Sequence, residues 1–141
     1  MGPLDAIALP AGALVLVDTA PIIYVLEGHG SLAQRFVPLF ERHAAGEIGL
    51  AVTAITVAEV LTGPLSKREE GLARRYRTIL ESWHVVVLTI DIADSAARIC
   101  ARTKLKLPDA VQVASALAIN ATALVTHDRD FAAVKGLQIL A

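Results

Sequence analysis

Four carboxylates, in four separate parts of the sequence, are the residues whose placement could support chemistry: Asp18, Glu59, Asp109 and Asp128. Asp18 directly follows an apolar run and Asp128 lies shortly after another, so each is expected at the carboxyl end of a strand. Glu59 and Asp109 are expected in the opening turns of two helices. Because helices that follow parallel strands begin at the same edge of the sheet, the four acids are expected to converge on one pocket, with Asp130 in support.

The chemistry expected of such a cluster involves a divalent cation. Clustered carboxylates repel one another, and each raises the pKa of its neighbours unless a cation lies between them. No His or Cys set has the spacing of zinc ligands, and the single cysteine, Cys100, excludes an internal disulfide. Oxygen ligands favour Mg²⁺ or Mn²⁺. The reaction that suits this site is phosphodiester hydrolysis, in which metal ions bind the phosphate, activate water and stabilise the leaving oxygen.

Each acid also has a purely structural interpretation. Asp18 could cap a helix, and Asp109 could complement a helix dipole. Thr56 and Glu59 have the spacing of a capping box, so Glu59 could serve only its own helix. Asp128 could lie in a solvated loop. Four independent structural roles should seldom share one edge of a sheet, so the shared site is the preferred interpretation.

Five short apolar runs predict the strands that would position these acids: 13–17, 48–52, 85–88, 123–125 and 137–140. Continuous apolar runs are typical of strands that are buried on both faces. Helical patterns lie between them. Strands that alternate with helices predict an α/β fold of three layers, α/β/α, with a mainly parallel central sheet.

Helix boundaries are predicted from capping residues and prolines. The segment Ser66–Glu69 has capping-box spacing and predicts the start of a helix. Asp91 or Asp94 could begin the next one. Pro38 predicts a short turn followed by a helix, and Pro64 predicts the end of the helix that contains Glu59.

Length and composition set the class of protein. The chain has 141 residues, which predicts a single domain over 1–141, and it is 55% apolar but only 4% aromatic. A net charge of −1 excludes a polycation that binds nucleic acid by bulk charge. The abundant aliphatic residues predict an exposed apolar dimer face, for which the helix bearing Tyr76 and Trp83 is a candidate.

The apolar runs also bear on the compartment. They are too short to span a bilayer, which takes about 20 consecutive apolar residues. No Lys or Arg precedes Arg35, so a secretory signal is not predicted. A cytoplasmic location is therefore expected.

Four segments together resemble the motifs of PIN-domain proteins, and most closely those of the VapC toxins of bacterial toxin–antitoxin pairs: Val17–Thr19, Ile55–Leu61, Leu107–Ala110 and Val125–Phe131. The resemblance covers nearly the whole chain, in the family's order and spacing. It implies an Mg²⁺- or Mn²⁺-dependent endoribonuclease that cleaves structured RNA such as tRNA or rRNA. It also implies a homodimer and a VapB-like antitoxin whose C-terminal segment occupies the active-site groove.

The resemblance also implies roles for individual residues. Asp18, Glu59 and Asp109 match the family's three metal-binding acids, Asp128 matches its more variable fourth, and Asp130 would assist.

Two threonines, Thr19 and Thr126, are expected to support these acids, since Thr126 matches the polar residue that precedes the fourth acid. Ala20 departs from the pattern, because the family often has Asn or Ser at that place. One polar contact near the metal is therefore expected to be missing.

Basic residues provide candidate RNA contacts. Arg102, Lys104 and Lys106 lead into Asp109, and Arg102 and Lys104 lie close enough in sequence to the acids to hold a phosphate. A second group is interpreted mainly as a solvated helix face: Lys67, Arg68, Arg74, Arg75 and Arg77.

Three other classes of protein are alternatives to a toxin. A PIN nuclease of RNA processing, with no antitoxin, fits the same motifs. A receiver-like binding domain needs a pair of adjacent acids after the first strand and an acidic phosphoacceptor after a later one. Asp18 has no acidic neighbour, and Thr53 follows the second strand. A haloacid-dehalogenase phosphatase would need an acid at position 20, which is Ala.

Overall fold

A computed structural model of the chain describes residues 8–128, 131, 134 and 136–141. Within these residues strands and helices follow one another in this order: β1 (Leu14–Val17), α1 (Thr19–Glu27), α2 (Gly30–Ala44), β2 (Gly49–Thr53), α3 (Ala54–Ser66), α4 (Glu70–Glu81), β3 (His84–Val86), α5 (Ile90–Arg102), α6 (Leu107–Ala118), β4 (Ala123–Val125) and β5 (Gln138–Leu140). All five predicted strands are present, each within two residues of its predicted ends.

The strands form one sheet in the order β3-β2-β1-β4-β5, and every neighbouring pair is parallel. The predicted α/β fold with a parallel central sheet is therefore confirmed. The central strand β1 lies between β2 and β4, so the chain continues on one side of β1 first and on the other side later. Ligand sites of such sheets form at this reversal, outside the carboxyl ends of the strands.

Alternate side chains of β1 serve different halves of the core, because successive side chains of a strand point to opposite faces. Val15 and Val17 belong to an apolar cluster with residues of α1 to α4. Leu16 belongs to a second cluster, with residues of α5 and α6. All three side chains are fully buried. The sheet is therefore the middle of three layers, as the continuous apolar runs predicted.

Both prolines that were expected to interrupt helices lie inside them. Pro38 is within α2, which is one helix, and Pro64 is in the last turn of α3. A proline removes one backbone hydrogen bond, but burial of the apolar face of α2, which includes Phe36 and Leu39, is sufficient to keep the helix continuous.

Two predicted helix starts are also wrong. Ser66 is the last residue of α3, where its hydroxyl donates to the Thr62 carbonyl, and α4 begins only at Glu70. The α5 helix is capped by Thr89, whose hydroxyl oxygen accepts from the Ile92 amide, so both of the proposed aspartate starts lie inside the helix.

Tyr76 does not belong to an exposed apolar face, contrary to the prediction. Its side chain is only 8% exposed and packs in the core cluster of α1 to α4. The larger apolar exposures in the described residues lie beside the edge strand β3, where Val87 is 63% and Ile90 is 84% exposed. None of the described helices is both long and apolar enough to cross a bilayer.

Candidate active site

Asp18 occupies the turn between β1 and α1. It is the N-cap of α1, and Oδ1 accepts from the Thr19 amide at 2.9 Å, so the capping interpretation is correct as far as it goes. The same carboxylate accepts two more hydrogen bonds, from Gln112 Nε2 to Oδ1 and from the Thr126 hydroxyl to Oδ2, both at 2.9 Å. A cap requires only the first of these contacts, so the other two hold the carboxylate in one orientation at the pocket.

Thr126 connects two of the predicted acids. It follows β4 and is fully buried, and its hydroxyl oxygen accepts from the Asp128 amide at 2.9 Å while the hydroxyl donates to Asp18. This turn carries Asp128 to the same edge of the sheet as Asp18. The predicted supporting position of Thr126 therefore has a direct geometric basis.

Glu59 is not part of a capping box. The N-cap of α3 is Thr53, which accepts from the Thr56 amide at 3.1 Å, so Thr56 is already inside the helix and Glu59 is in its second turn. The carboxylate of Glu59 instead accepts from the Thr19 hydroxyl at 3.0 Å. The sequence rule failed because Thr53, at the end of β2, has the extended backbone of a cap and precedes Thr56.

Asp109 lies in the first turn of α6, directly after Pro108, as predicted. It lines one pocket together with the three other acids. This pocket has a volume of about 540 Å³ and is lined by Asp18, Thr19, Ala20, Ile23, Tyr24, Glu59, Pro108, Asp109, Gln112, His127 and Asp128. Four acids that are distant in sequence thus meet at one edge of the sheet. Asp130 lies outside the described residues.

The donor set of the pocket can be compared with the needs of a cation. Carboxylate oxygens dominate it, which suits Mg²⁺ or Mn²⁺. Within the described part of the chain, however, no three Asp, Glu, His or Cys side chains form a group that could hold one ion. Mg²⁺ typically keeps several water ligands and binds through one or two carboxylates together with substrate phosphates. The described residues therefore fit a partly hydrated ion rather than an all-protein cage.

Two polar residues of the site were missed by the sequence analysis. Gln112 is only 2% exposed, and its amide contacts Asp18, Thr53 and Thr56. A polar residue inside the apolar run of α6 was the signal that could have found it. Tyr24 was also missed: its hydroxyl hydrogen-bonds to Nδ1 of His127 at 2.8 Å, at the wall of the pocket.

The predicted basic residues lie beside the acids. Arg102, Lys104 and Lys106 line a second pocket of about 610 Å³ whose wall also includes Asp109 and Asp128. The two pockets therefore share these two acids.

The other basic group is separate from this site. Arg74 and Arg75 line a different pocket on α4, and Arg77 forms an ion pair with Glu81 in the next helical turn.

Comparison with known proteins places this chain in a family. The PIN domain model matches residues 15–137, and the chain therefore belongs to the PIN-domain family. No curated protein sequence matches it.

Solved structures similar to this chain include proteins of toxin–antitoxin systems. A toxin–antitoxin complex from Klebsiella pneumoniae contains a chain with 27% identity and a TM-score of 0.67, and the match covers 87% of this chain and 94% of that one. VapBC2 from Rickettsia felis, bound to a DNA fragment from its promoter, matches at 17% identity and a TM-score of 0.71 over 89% and 96% of the two chains. VapC20 from Mycobacterium tuberculosis matches at 16% identity and a TM-score of 0.68 over 90% and 99%.

Proposed function

We propose that this chain is a divalent-metal-dependent endoribonuclease and the toxin of a VapBC-type toxin–antitoxin pair. The observation that carries the proposal is the pocket in which Asp18, Glu59, Asp109 and Asp128 meet at the reversal point of a parallel sheet. Family membership supports nuclease chemistry at this pocket.

The four acids would supply the protein ligands for Mg²⁺ or Mn²⁺, with Asp130 in support, and one or two of them would contact an ion that keeps water at its other positions. Such an ion supplies a Lewis acid that polarises the scissile phosphate and lowers the pKa of bound water. The chain's own residues fix the acceptors in advance: Thr126 and Gln112 orient Asp18, and Thr19 orients Glu59. Oδ1 of Asp18 accepts two hydrogen bonds, from the Thr19 amide and from Gln112. Oδ2 accepts one hydrogen bond from the described residues, that of Thr126, and would therefore retain a lone pair for the ion.

Relatives support the choice of substrate and partner. The Klebsiella pneumoniae structure is a toxin–antitoxin complex, which supports a VapB-like antitoxin for this chain. VapC20 is a sarcin-ricin loop cleaving toxin, and its shared fold is compatible with structured RNA as the substrate. We propose that the chain also pairs with a second copy, for which the exposed Val87, Leu88 and Ile90 are suitable apolar contacts.

The alternative within the same family is a PIN nuclease of RNA processing that has no antitoxin. The pocket fits both, because it defines the chemistry and not the biological partner. A neighbouring gene for a small DNA-binding protein that binds and inhibits this chain would support the toxin, and its absence would favour RNA processing.

The central test is cleavage of RNA by the purified chain, with 5′ ends mapped by sequencing. Cleavage at defined positions in structured RNA is expected with Mg²⁺ or Mn²⁺, and loss of cleavage is expected with EDTA. Equal cleavage with EDTA would exclude the metal-dependent mechanism, and no cleavage of any RNA with either ion would exclude the proposed activity.

Metal binding is expected to stabilise the folded chain. A ligand that binds only the native state adds about 2.7 kcal/mol at 100 times its dissociation constant. We expect millimolar Mn²⁺ to raise the melting temperature by several degrees over that in EDTA. Scanning calorimetry of the apo chain and the Mn²⁺-loaded chain measures this shift, and identical melting curves would argue against the site.

Neutralising the basic pocket is expected to weaken RNA binding. In the variant with Arg102→Ala and Lys104→Ala, two phosphate contacts should be lost. The slope of log affinity against log salt should then fall by roughly 1.4 to 1.8, at about 0.7 per contact for single strands and about 0.9 for duplexes. The matched control is the double variant Arg74→Ala, Arg75→Ala on α4, whose pocket lacks these acids. Equal RNA affinity and salt slope in both variants would remove the basic pocket from the binding surface.

A further inference from the structure

Beneath the acidic pocket, a hydrogen-bond network of buried polar side chains connects Asp18 with Glu59. Thr53, Thr56 and Gln112 are each at most 2% exposed. The Gln112 amide donates to Asp18 at 2.9 Å and to Thr56 at 2.8 Å, and its carbonyl oxygen accepts from Thr53 at 2.8 Å. Two acids that are 41 positions apart in the sequence are therefore joined through interior side chains.

Which group donates in each hydrogen bond of this network follows from the two carboxylates at its ends, which accept. Glu59 accepts from Thr19, so the single Thr19 proton is committed, and the 2.9 Å contact between Thr19 and Thr56 requires Thr56 to donate. Thr56 then accepts from the Gln112 amide, whose other hydrogen goes to Asp18. The donors consequently run from Gln112 outward to both carboxylates.

This order of donors also fixes the Gln112 amide. Thr53 Oγ1 accepts from the Thr56 amide and its proton points to the Gln112 carbonyl oxygen. An inverted amide would direct its oxygen at the Asp18 carboxylate, where both atoms are acceptors and no proton lies between them. The hydrogen bonds of such a network polarise one another in a medium of low dielectric constant, so its members act together.

We propose that Gln112 is the positioning residue of the site, and that it orients Asp18 directly and Glu59 through Thr56 and Thr19. The inference rests on the proposed metal-dependent function, because the two carboxylates are held as hydrogen-bond acceptors at the pocket where they would meet a cation. An amide that only satisfied its own burial would need no link to either acid. Partners of metal ligands commonly change metal affinity by about 10- to 100-fold when removed.

The first test is Gln112→Met, which keeps the length and apolar packing of the side chain and removes both donors. We expect the Mn²⁺ dissociation constant, measured by titration calorimetry, to rise by about 10- to 100-fold. The melting temperature in EDTA should change little, because Thr53 already lies 3.4 Å from Thr56 and can donate to it instead. Ser115→Ala, at another buried polar residue of α6, is the matched control and should bind Mn²⁺ as the wild type does.

A second pair of variants tests the Glu59 end of the hydrogen-bond network without changing Gln112. Thr19→Val removes the hydroxyl and keeps the shape, whereas Thr19→Ser keeps the hydroxyl. We expect weaker Mn²⁺ binding for the Val variant and near-normal binding for the Ser variant. If the hydrogen-bond network acts as one unit, the double variant Gln112→Met, Thr19→Val should weaken Mn²⁺ binding by less than the product of the two single effects.

The outcomes separate this inference from the proposed function. Unchanged Mn²⁺ affinity in both Gln112→Met and Thr19→Val, with a wild type that binds Mn²⁺ and cleaves RNA, would overturn the positioning role and leave the nuclease standing. Effects on the Mn²⁺ dissociation constant that multiply in the double variant would show that the two residues act independently, and would overturn the coupling through the hydrogen-bond network. A wild type that neither binds Mn²⁺ nor cleaves RNA would overturn both proposals.

Discussion

Replacing Asp18 with Asn is expected to reduce metal-dependent RNA cleavage by a factor on the order of 100 or more, since loss of a metal ligand should cost at least as much as loss of a ligand's partner. The substitution removes the negative charge and keeps the shape. The amide oxygen can remain opposite Gln112 and the Thr19 amide, and Asn is as good an N-cap as Asp.

The fold should tolerate this change. The new amide nitrogen would face Thr126, whose hydroxyl can rotate its proton away and accept instead, although it already accepts from the Asp128 amide. We therefore expect the variant to melt in EDTA within a few degrees of the wild type, and to gain much less stability from Mn²⁺.

The control for this experiment is Asp91→Asn, which removes an exposed carboxylate from the first turn of α5, away from the pocket. It should cleave RNA at the wild-type rate. Cleavage assays and melting curves of the three proteins decide the matter: full cleavage by the Asp18 variant would reduce Asp18 to the N-cap of α1 and remove the central acid of the site.

The fold was predictable because it depends on local patterns that repeat. A continuous apolar run such as Leu14–Val17 indicates a strand buried on both faces, and five such runs separated by helices allow few arrangements besides a parallel sheet. The edge of the sheet where Asp18 and Asp128 lie follows from that arrangement.

Helix boundaries were less predictable because several residues compete for the same role. Ser66 and Thr56 both have capping-box spacing, yet Ser66 ends a helix and Thr56 lies inside one. Thr53 is a better cap than Thr56 because β2 brings it to the helix in an extended conformation. Pro38 illustrates the same limit, since tertiary burial of α2 outweighs the local cost of the proline.

The supporting network of the site was unpredictable from local patterns. Gln112 is 94 residues from Asp18 and 59 from Thr53 in sequence, and no spacing rule connects positions so far apart. Asp18 could be proposed from its place after a strand, whereas the role of Gln112 depends on how α6 packs against the ends of β1 and β2. The candidate acids could therefore be predicted from the sequence, whereas the neutral residues that contact them required the structure.

Replacing Glu59 with Gln is the second change for which we expect a large effect. The structure excludes the capping role, because Thr53 caps α3, and leaves two roles for Glu59: a hydrogen-bond acceptor for Thr19, or also a metal ligand. Gln retains an oxygen that can accept from Thr19, so the local hydrogen bond survives. The substitution removes the negative charge. Binding of a cation depends on that charge, whereas a hydrogen bond from a neutral hydroxyl depends on it far less.

The expected results for Glu59→Gln therefore differ between the two roles. As a metal ligand, the variant should fold normally, lose most RNA cleavage and lose much of the stabilisation by Mn²⁺. Its melting temperature in EDTA should be unchanged or slightly higher, because one of several like charges has left the pocket. Glu41→Gln, at an exposed glutamate of α2, is the charge-matched control and should behave as the wild type in all three measurements. Wild-type cleavage by Glu59→Gln would leave Glu59 only its contact with Thr19, and the partly hydrated cation would then have to bind through one or two of the three remaining acids.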